Sequence, residues 1–166
     1  MLKYLEAYPE SVQQQALALL NDGKSEAFFK AKYTQPHGLS QPQRLYDYAM
    51  EIKKRYMRSG APISKVVFDD KLHVVKNALG LHTYAVRVQG KKLKAKNEVR
   101  VSGLFRKVPE PWLRMILVHE LAHLKEKDHN KAFYNLCCHM EPDYHQLEFE
   151  LRFYLNHRER FGDIWV

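Results

Sequence analysis

The sequence predicts an α+β fold with a small, mostly antiparallel sheet and a helical N-terminal part. Three observations predict it: helical spacing of apolar residues in the first third, short β-branched runs in the middle, and helical spacing again after Pro109. Helices, then strands, then helices are typical of α+β domains. The 166 residues favour one domain over residues 1–166, with a helical part at 1–60 and a core at 61–166.

The helical N-terminal part is clearest after Ser40 and Pro42. Apolar residues there recur at spacings of four, three and four, which places them on one face of a helix. We expect this helix to end near Arg58, before the breaker residues 59–62. The residues that form the apolar face are Leu45, Ala49, Ile52 and Tyr56.

The middle of the chain predicts strands, because short runs rich in β-branched residues alternate there with turn residues. The four runs are 65–68, 72–75, 83–88 and 98–102. After them, three segments return to helical periodicity. These segments are 115–124, 131–139 and 144–155.

The N-terminus and the cysteines indicate a cytoplasmic protein. The N-terminus lacks the apolar segment of a signal peptide, and no stretch approaches the roughly 20 apolar residues that span a bilayer. We therefore expect no membrane partner. The two cysteines, Cys137 and Cys138, are adjacent and cannot bridge each other without strain, so we expect both to be free and packed.

The motif that carries chemistry is H-E-x-x-H at residues 119–123, in the most apolar helical segment. Residues four apart on a helix lie on the same face about 6 Å apart, so the imidazoles of His119 and His123 can bind one zinc ion. Burying these side chains with Glu120 is costly unless they are paired or bound to a metal. The alternative is that they are ordinary hydrogen-bonded residues.

A catalytic zinc commonly has three protein ligands and one open position, which makes His129 the candidate for the third ligand. A continuous helix would carry His129 about 15 Å beyond His119, out of reach of the metal. We therefore expect the helix to end after Lys125, and Asn130 to cap the next helix. The alternative is a solvated loop histidine. Two other histidines lie beyond the turn and are weaker candidates: His139 and His145.

The run at 115–134, followed by Met-Glu-Pro-Asp-Tyr at 140–144, resembles the YgjP-like family of zinc metallohydrolases, relatives of the SprT-like zincins. The resemblance implies a zincin-like fold in which the sheet packs on the H-E-x-x-H helix. It also implies that His119, His123 and His129 are the zinc ligands and that Glu120 is the catalytic base. The spacing also matches the metzincins, but Glu126 stands where they have a turn glycine, so we do not assign the chain to them.

The chemistry that these residues predict is metal-assisted hydrolysis. Glu120 accepts a proton from a metal-activated water and returns it to the leaving group. The charge that develops on the attacked group needs a further donor. Tyr144 could equally be a core tyrosine on the apolar stripe of the last helix. The candidate donors are Tyr144, His145 and Tyr134.

Most of the net charge lies in one segment. The chain carries +8, and residues 87–107 hold eight basic residues and one acid, or +7 of that total. We name this stretch the basic segment. It directly precedes the metal helix and would suit a phosphate-bearing or acidic substrate. Alternatively, its lysines protect an exposed edge strand from aggregation. The candidate substrate-binding residues are Arg87, Lys92, Lys94, Lys96 and Arg100.

Three functions remain open from the sequence. A zinc metallopeptidase acting on peptides is favoured, because H-E-x-x-H with a third histidine usually has that role. The alternative is a metal-dependent nucleoside triphosphate pyrophosphatase, a phosphoanhydride hydrolase in which the basic segment holds the phosphates. The third is a nucleic-acid-associated SprT-like protease or binding module, in which Tyr84 and Phe105 would stack on bases.

Overall fold

The fold places six α-helices around two short pairs of strands in the part of the chain that the computed structural model describes, residues 2–72, 74–75, 82–83 and 97–166. The order is helices, strands and helices, so the predicted α+β class is confirmed. The elements are α1 (Glu10–Asn21), α2 (Ser25–Lys32), α3 (Pro42–Tyr56), β1 (Ile63–Asp69), β2 (Val74–Val75), β3 (His82–Thr83), β4 (Asn97–Ser102), a 3-10 helix (Gly103–Lys107), α4 (Glu110–Ala122), α5 (Lys131–Met140) and α6 (Tyr144–Phe161).

The N-terminal helices follow their local sequence signals. Pro42 stands in the first turn of α3, where its fixed φ is favourable, and Leu45, Ala49 and Ile52 are buried as their spacing predicts. The helix ends at Tyr56, two residues before the predicted end. The turn between α1 and α2 contains Gly23 at a φ of 68°, a left-handed conformation that glycine adopts without strain.

The strand pairing differs from the mostly antiparallel sheet that the sequence predicts. β1 and β4 pair in parallel, with Val66 beside Val99, while β2 and β3 form a short antiparallel pair. Parallel neighbours need a long crossover connection, and the sequence between Asp69 and Asn97 is long enough for one. Strand periodicity reports which face is buried but not the direction of the partner. Residues 84–88 of the third predicted strand lie outside the described residues.

Helix α4 runs through the core, as its continuous apolar sequence predicts. Every residue from Met115 to Ala122 is buried, including His119 and Glu120. The helix packs against α3, α5, α6 and β4. It therefore carries two polar side chains of the motif into the centre of the apolar cluster.

Glu150 ties three helices together from a buried position, with 1% of its side chain exposed. Its carboxylate accepts hydrogen bonds from Lys32, from Tyr33 at 2.5 Å, from Trp112 Nε1 at 3.1 Å and from Gln146 at 3.3 Å. Burial raises the pKa of this carboxyl, but the four hydrogen bonds outweigh burial and hold the pKa below its ordinary value. The ionised carboxylate thus anchors α2 to α4 and α6.

Two predictions about the whole chain can be compared with the structure. Cys137 and Cys138 are both free, and Cys137 is fully buried, so the packing prediction is confirmed. Among the described residues, no helix combines the length and the apolar character needed to cross a membrane.

Candidate metal centre

Three imidazoles meet at the C-terminal end of α4. The candidate ligand nitrogens of His119, His123 and His129 all lie within 4.8 Å of one another. The Nε2 atoms of His123 and His129 are 3.0 Å apart, and the ring of His119 lies 4.9 Å and 5.0 Å from theirs, centroid to centroid. Three convergent imidazoles form a donor set that suits zinc and other first-row divalent metals. These residues therefore fit a metal ion.

The bend that returns His129 to the helix is the one that the sequence predicts. α4 ends at Ala122, and the next backbone N–H groups make short turn bonds, including Glu126 N–H to Ala122 O at 3.0 Å. The Asn130 side chain then caps α5 by accepting from Phe133 N–H at 2.9 Å. The helix stops three residues earlier than predicted, and the predicted turn and cap are confirmed.

Hydrogen bonds on the far side of two rings decide which nitrogen faces the centre. His123 Nδ1 donates to the carbonyl oxygen of Glu126 at 2.9 Å, which leaves Nε2 as its ligand atom. His119 Nδ1 lies 2.8 Å from the Tyr144 hydroxyl oxygen, which likewise leaves Nε2 for a metal. Such contacts fix both the tautomer and the ring plane of metal-binding histidines.

Tyr144 contacts the Nδ1 side of His119. Its side chain is fully buried, and its hydroxyl contacts both His119 and the thiol of Cys137. Burial, reinforced by the negative charge of Glu148, raises the pKa of Tyr144 well above 10, so the hydroxyl stays neutral. This place fits the core tyrosine that the sequence left open, with the added task of orienting a ligand.

Glu120 occupies the buried last turn of α4, between the two helix histidines in sequence. Only 4% of its surface is exposed. A general base acts from within hydrogen-bond reach of the water that it deprotonates, and Glu120 is on the same helical turn as the candidate ligands His119 and His123. Its catalytic role stays a prediction.

The other two candidate donors lie nearer to solvent. Tyr134 is half-buried, with its ring 6.4 Å from that of His129, and the exposed His145 lies 5.5 Å from Tyr134. Burial raises the pKa of Tyr134 to about 12, so its hydroxyl keeps its proton near neutral pH. The donor roles of Tyr134 and His145 stay predictions.

Sequence reasoning missed one residue of this centre, Phe133, and one buried acid on α6, Glu148. Phe133 packs against all three imidazoles, with ring centroids 4.5 to 5.0 Å away, and walls one side of the cluster with apolar surface. Glu148 is buried and pairs with Arg152 at 3.5 Å. The signal for Glu148 was present, since a charged residue four positions after Tyr144 interrupts an apolar stripe.

The structure bears on one of the five predicted substrate-binding residues. Arg100 is bound to Asp69 at 3.1 Å and to Glu98 at 2.9 Å within the β1–β4 pair, so its charge is already matched. Phe105 is fully buried, because the 3-10 helix turns it into the core, so its predicted stacking on bases is wrong. Arg87, Lys92, Lys94, Lys96 and Tyr84 lie outside the described residues.

Comparison with known proteins relates most of the chain to one family. The family model described as YgjP-like, metallopeptidase domain, matches residues 20–154. A protein of Escherichia coli (strain K12) named UTP pyrophosphatase is 54% identical over 154 residues, which cover 93% of this chain and 92% of that protein. No solved structure gives a significant match.

Proposed function

Because the chain belongs to the YgjP-like family and is a metal-dependent hydrolase, we propose that it is a zinc-dependent nucleoside triphosphate pyrophosphatase that acts on UTP. The observation that carries this proposal is the 54% identity to a UTP pyrophosphatase over nearly the full length of both chains. The sequence favoured a metallopeptidase and held this activity as its alternative. The relative's name moves the preference to that alternative.

The metal site supports a hydrolytic reaction of either kind. His119, His123 and His129 would hold zinc through their Nε2 atoms, with Tyr144 and the Glu126 carbonyl keeping two of the rings in place. The ion would supply Lewis acidity, which activates water and polarises the bond to be broken.

Glu120 would accept a proton from the attacking water and pass it to the leaving oxygen. Because Glu120 is buried in the last turn of α4, its carboxylate has little freedom to rotate and little contact with bulk water. Tyr134 and His145 would donate hydrogen bonds to the phosphate oxygens where negative charge develops. Attack at the α-phosphorus breaks the bond to the bridging oxygen, so UTP and water give UMP and pyrophosphate.

Charge supports a phosphate-bearing substrate. A triphosphate needs positive groups around its oxygens, because phosphoryl transfer depends largely on positioning and electrostatic stabilisation. The basic segment, with +7 of the chain's +8, directly precedes α4 in sequence. We propose that Lys92, Lys94 and Lys96 bind the phosphates, whereas Arg100 is committed to its ion pairs in the sheet.

A metallopeptidase is the second candidate, and the family description favours it. H-E-x-x-H followed by a third histidine is the ligand set of many zinc peptidases. The nucleic-acid module has less support, because the burial of Phe105 removes one of its two proposed stacking residues.

A side-by-side substrate screen tests the proposal. The zinc-loaded protein and its Glu120→Gln variant are incubated with UTP, the other nucleoside triphosphates and unfolded protein substrates. We expect UMP and pyrophosphate from UTP with the wild-type protein, much less with the variant, and no peptide cleavage. Peptide cleavage that depends on Glu120, together with intact UTP, would establish the peptidase instead.

A further inference from the structure

A cavity of about 540 Å³ lies away from the metal centre. It opens between the 3-10 helix, the C-terminal half of α6 and the tail that follows α6. Tyr154 and Arg158 line it and follow Tyr144 by ten and fourteen residues on α6. At 1.5 Å per residue, the cavity is about 15 to 21 Å along the helix from the Tyr144–His119 contact. Its volume is within the range of small-molecule sites.

Basic side chains from two distant parts of the chain converge on this cavity. Arg106 pairs with Asp70 at 3.1 Å, and Arg158 pairs with Asp163 at 2.5 Å. Lys107 also lines the cavity and is exposed, and no ion pair within the described ranges involves it. A guanidinium can bind phosphate oxygens through two parallel hydrogen bonds, and an ammonium adds a compact charge.

Aromatic side chains also line the cavity. The rings of Tyr154 and Trp165 lie 5.5 Å apart, and Tyr4 also lines the space. Trp165 is buried, yet its Nε1–H has no hydrogen-bond partner in the part of the chain that the structure describes. A buried donor of this kind is rare in folded proteins unless a water or a ligand satisfies it. Aromatic faces with such a donor suit a planar, hydrogen-bonding ring system.

Gly103 leaves room for the Asp70–Arg106 ion pair beside the cavity. A Cβ atom at position 103 would lie 1.9 Å from Asp70 Oδ1 and 3.3 Å from the Asp70 backbone. A larger residue at position 103 would therefore displace the Asp70 carboxylate from the place where it holds Arg106. The positions of Asp70 and Arg106 thus depend on the backbone at Gly103 as well as on their ion pair.

We propose that this cavity is a second binding site, for a mononucleotide-sized organic phosphate, separate from the metal centre. The phosphate contacts Lys107 and the guanidinium N–H groups that the two ion pairs do not use, Nη1 of Arg106 and the Nη atoms of Arg158. The ring lies against Tyr154 and Trp165. Asp70 and Asp163 are the acceptors available to sugar hydroxyls. The site would respond to nucleotide without taking part in hydrolysis.

Titration calorimetry on the full-length protein tests this site, with the metal removed by a chelator so that no hydrolysis occurs. The probes are UMP, uridine and inorganic phosphate. We expect saturable one-to-one binding of UMP and weaker binding of the other two. Lys107→Ala should weaken UMP binding about tenfold or more, whereas the exposed Lys131→Ala should leave it unchanged.

Two further variants locate the binding. Arg158→Ala should also weaken UMP binding, and His123→Ala in the metal centre should not. The proposal is overturned if UMP does not bind, if Lys107→Ala binds it as tightly as the wild type does, or if His123→Ala abolishes binding. Equal affinity for inorganic phosphate and UMP would overturn the assignment to an organic phosphate. Lys107 is exposed, so its loss does not endanger the fold.

Discussion

The hydroxyl oxygen of Tyr144 lies 2.8 Å from Nδ1 of His119, and both side chains are buried. With a metal on Nε2, Nδ1 would carry the ring proton and donate a hydrogen bond to the tyrosine oxygen. This contact joins the start of α6 to the last turn of α4 and fixes the plane of one ligand ring. It makes Tyr144 a positioning residue for the metal centre.

Tyr144→Phe should therefore weaken metal binding while the fold persists. Loss of an outer hydrogen bond to a ligand typically costs about tenfold to a hundredfold in metal affinity. The measurement is competition for zinc with a chelator of known affinity. Tyr154→Phe is the matched control, because it removes another buried tyrosine hydroxyl of α6, ten residues further along the helix. Equal zinc affinity in wild type and Tyr144→Phe would show that the contact is only structural.

Glu120→Gln should remove hydrolysis without removing the metal. General acid–base catalysis contributes about 10²- to 10⁴-fold, so we expect kcat to fall within that range while zinc content stays at the wild-type level. The control on the same helix is Glu110→Gln, because Glu110 is exposed at the first turn of α4. A fully active Glu120→Gln protein with normal zinc would refute the role of this residue as base.

His123→Ala should abolish stoichiometric metal binding, because two imidazoles alone hold a divalent ion weakly. Metal analysis of the purified protein by plasma mass spectrometry provides the measurement. His139→Ala is the control, since His139 is exposed and contacts Tyr56 on α3. Retention of zinc by His123→Ala would contradict the three-histidine site.

Neutralising Lys92, Lys94 and Lys96 together should raise the KM for UTP and change kcat little. If each lysine–phosphate ion pair contributes about 0.2 to 1 kcal/mol, the increase lies between about threefold and a hundredfold. The effect should shrink as salt is added, because salt screens the attraction between lysine and phosphate. An unchanged KM at low salt would show that these three lysines of the basic segment do not bind the substrate. A control variant neutralises three exposed lysines of the N-terminal helical part: Lys24, Lys30 and Lys54.

Glu150→Gln should lower the free energy of unfolding at neutral pH. It should also make that free energy fall less steeply as the pH is lowered. The folded pKa of Glu150 is below its ordinary value, so the carboxylate stabilises the fold above the unfolded pKa, near 4.5. That contribution is lost as the pH falls through the folded pKa. We expect the variant to lose about 1 to 3 kcal/mol of unfolding free energy at pH 7.

Denaturant unfolding between pH 3 and pH 7 measures this contribution. The exposed Glu10→Gln on α1 is the control and should follow the wild-type curve. If Glu150→Gln and the wild type lose stability in parallel below pH 5, the ionised carboxylate is not the source of the acid sensitivity.

Local features of the metal centre could be predicted from the sequence because short-range rules govern them. Helical periodicity places His119 and His123 on one face of α4. The chemistry of turns and caps ends that helix and starts α5 at Lys131, so that His129 returns to the same point. Each of these steps depends on residues only a few positions apart.

Tertiary packing decided the relations between residues far apart in the chain. Three such relations are the hydrogen bond between Tyr144 and His119, the parallel pairing of β1 with β4, and the burial of Phe105 in the core. In each of them, the local sequence of one element does not specify the element that it contacts. Periodicity shows that a side chain is buried, but it does not show which group it meets there. That choice depends on how the helices and strands pack into one core, because burial stabilises many arrangements and only close packing selects one.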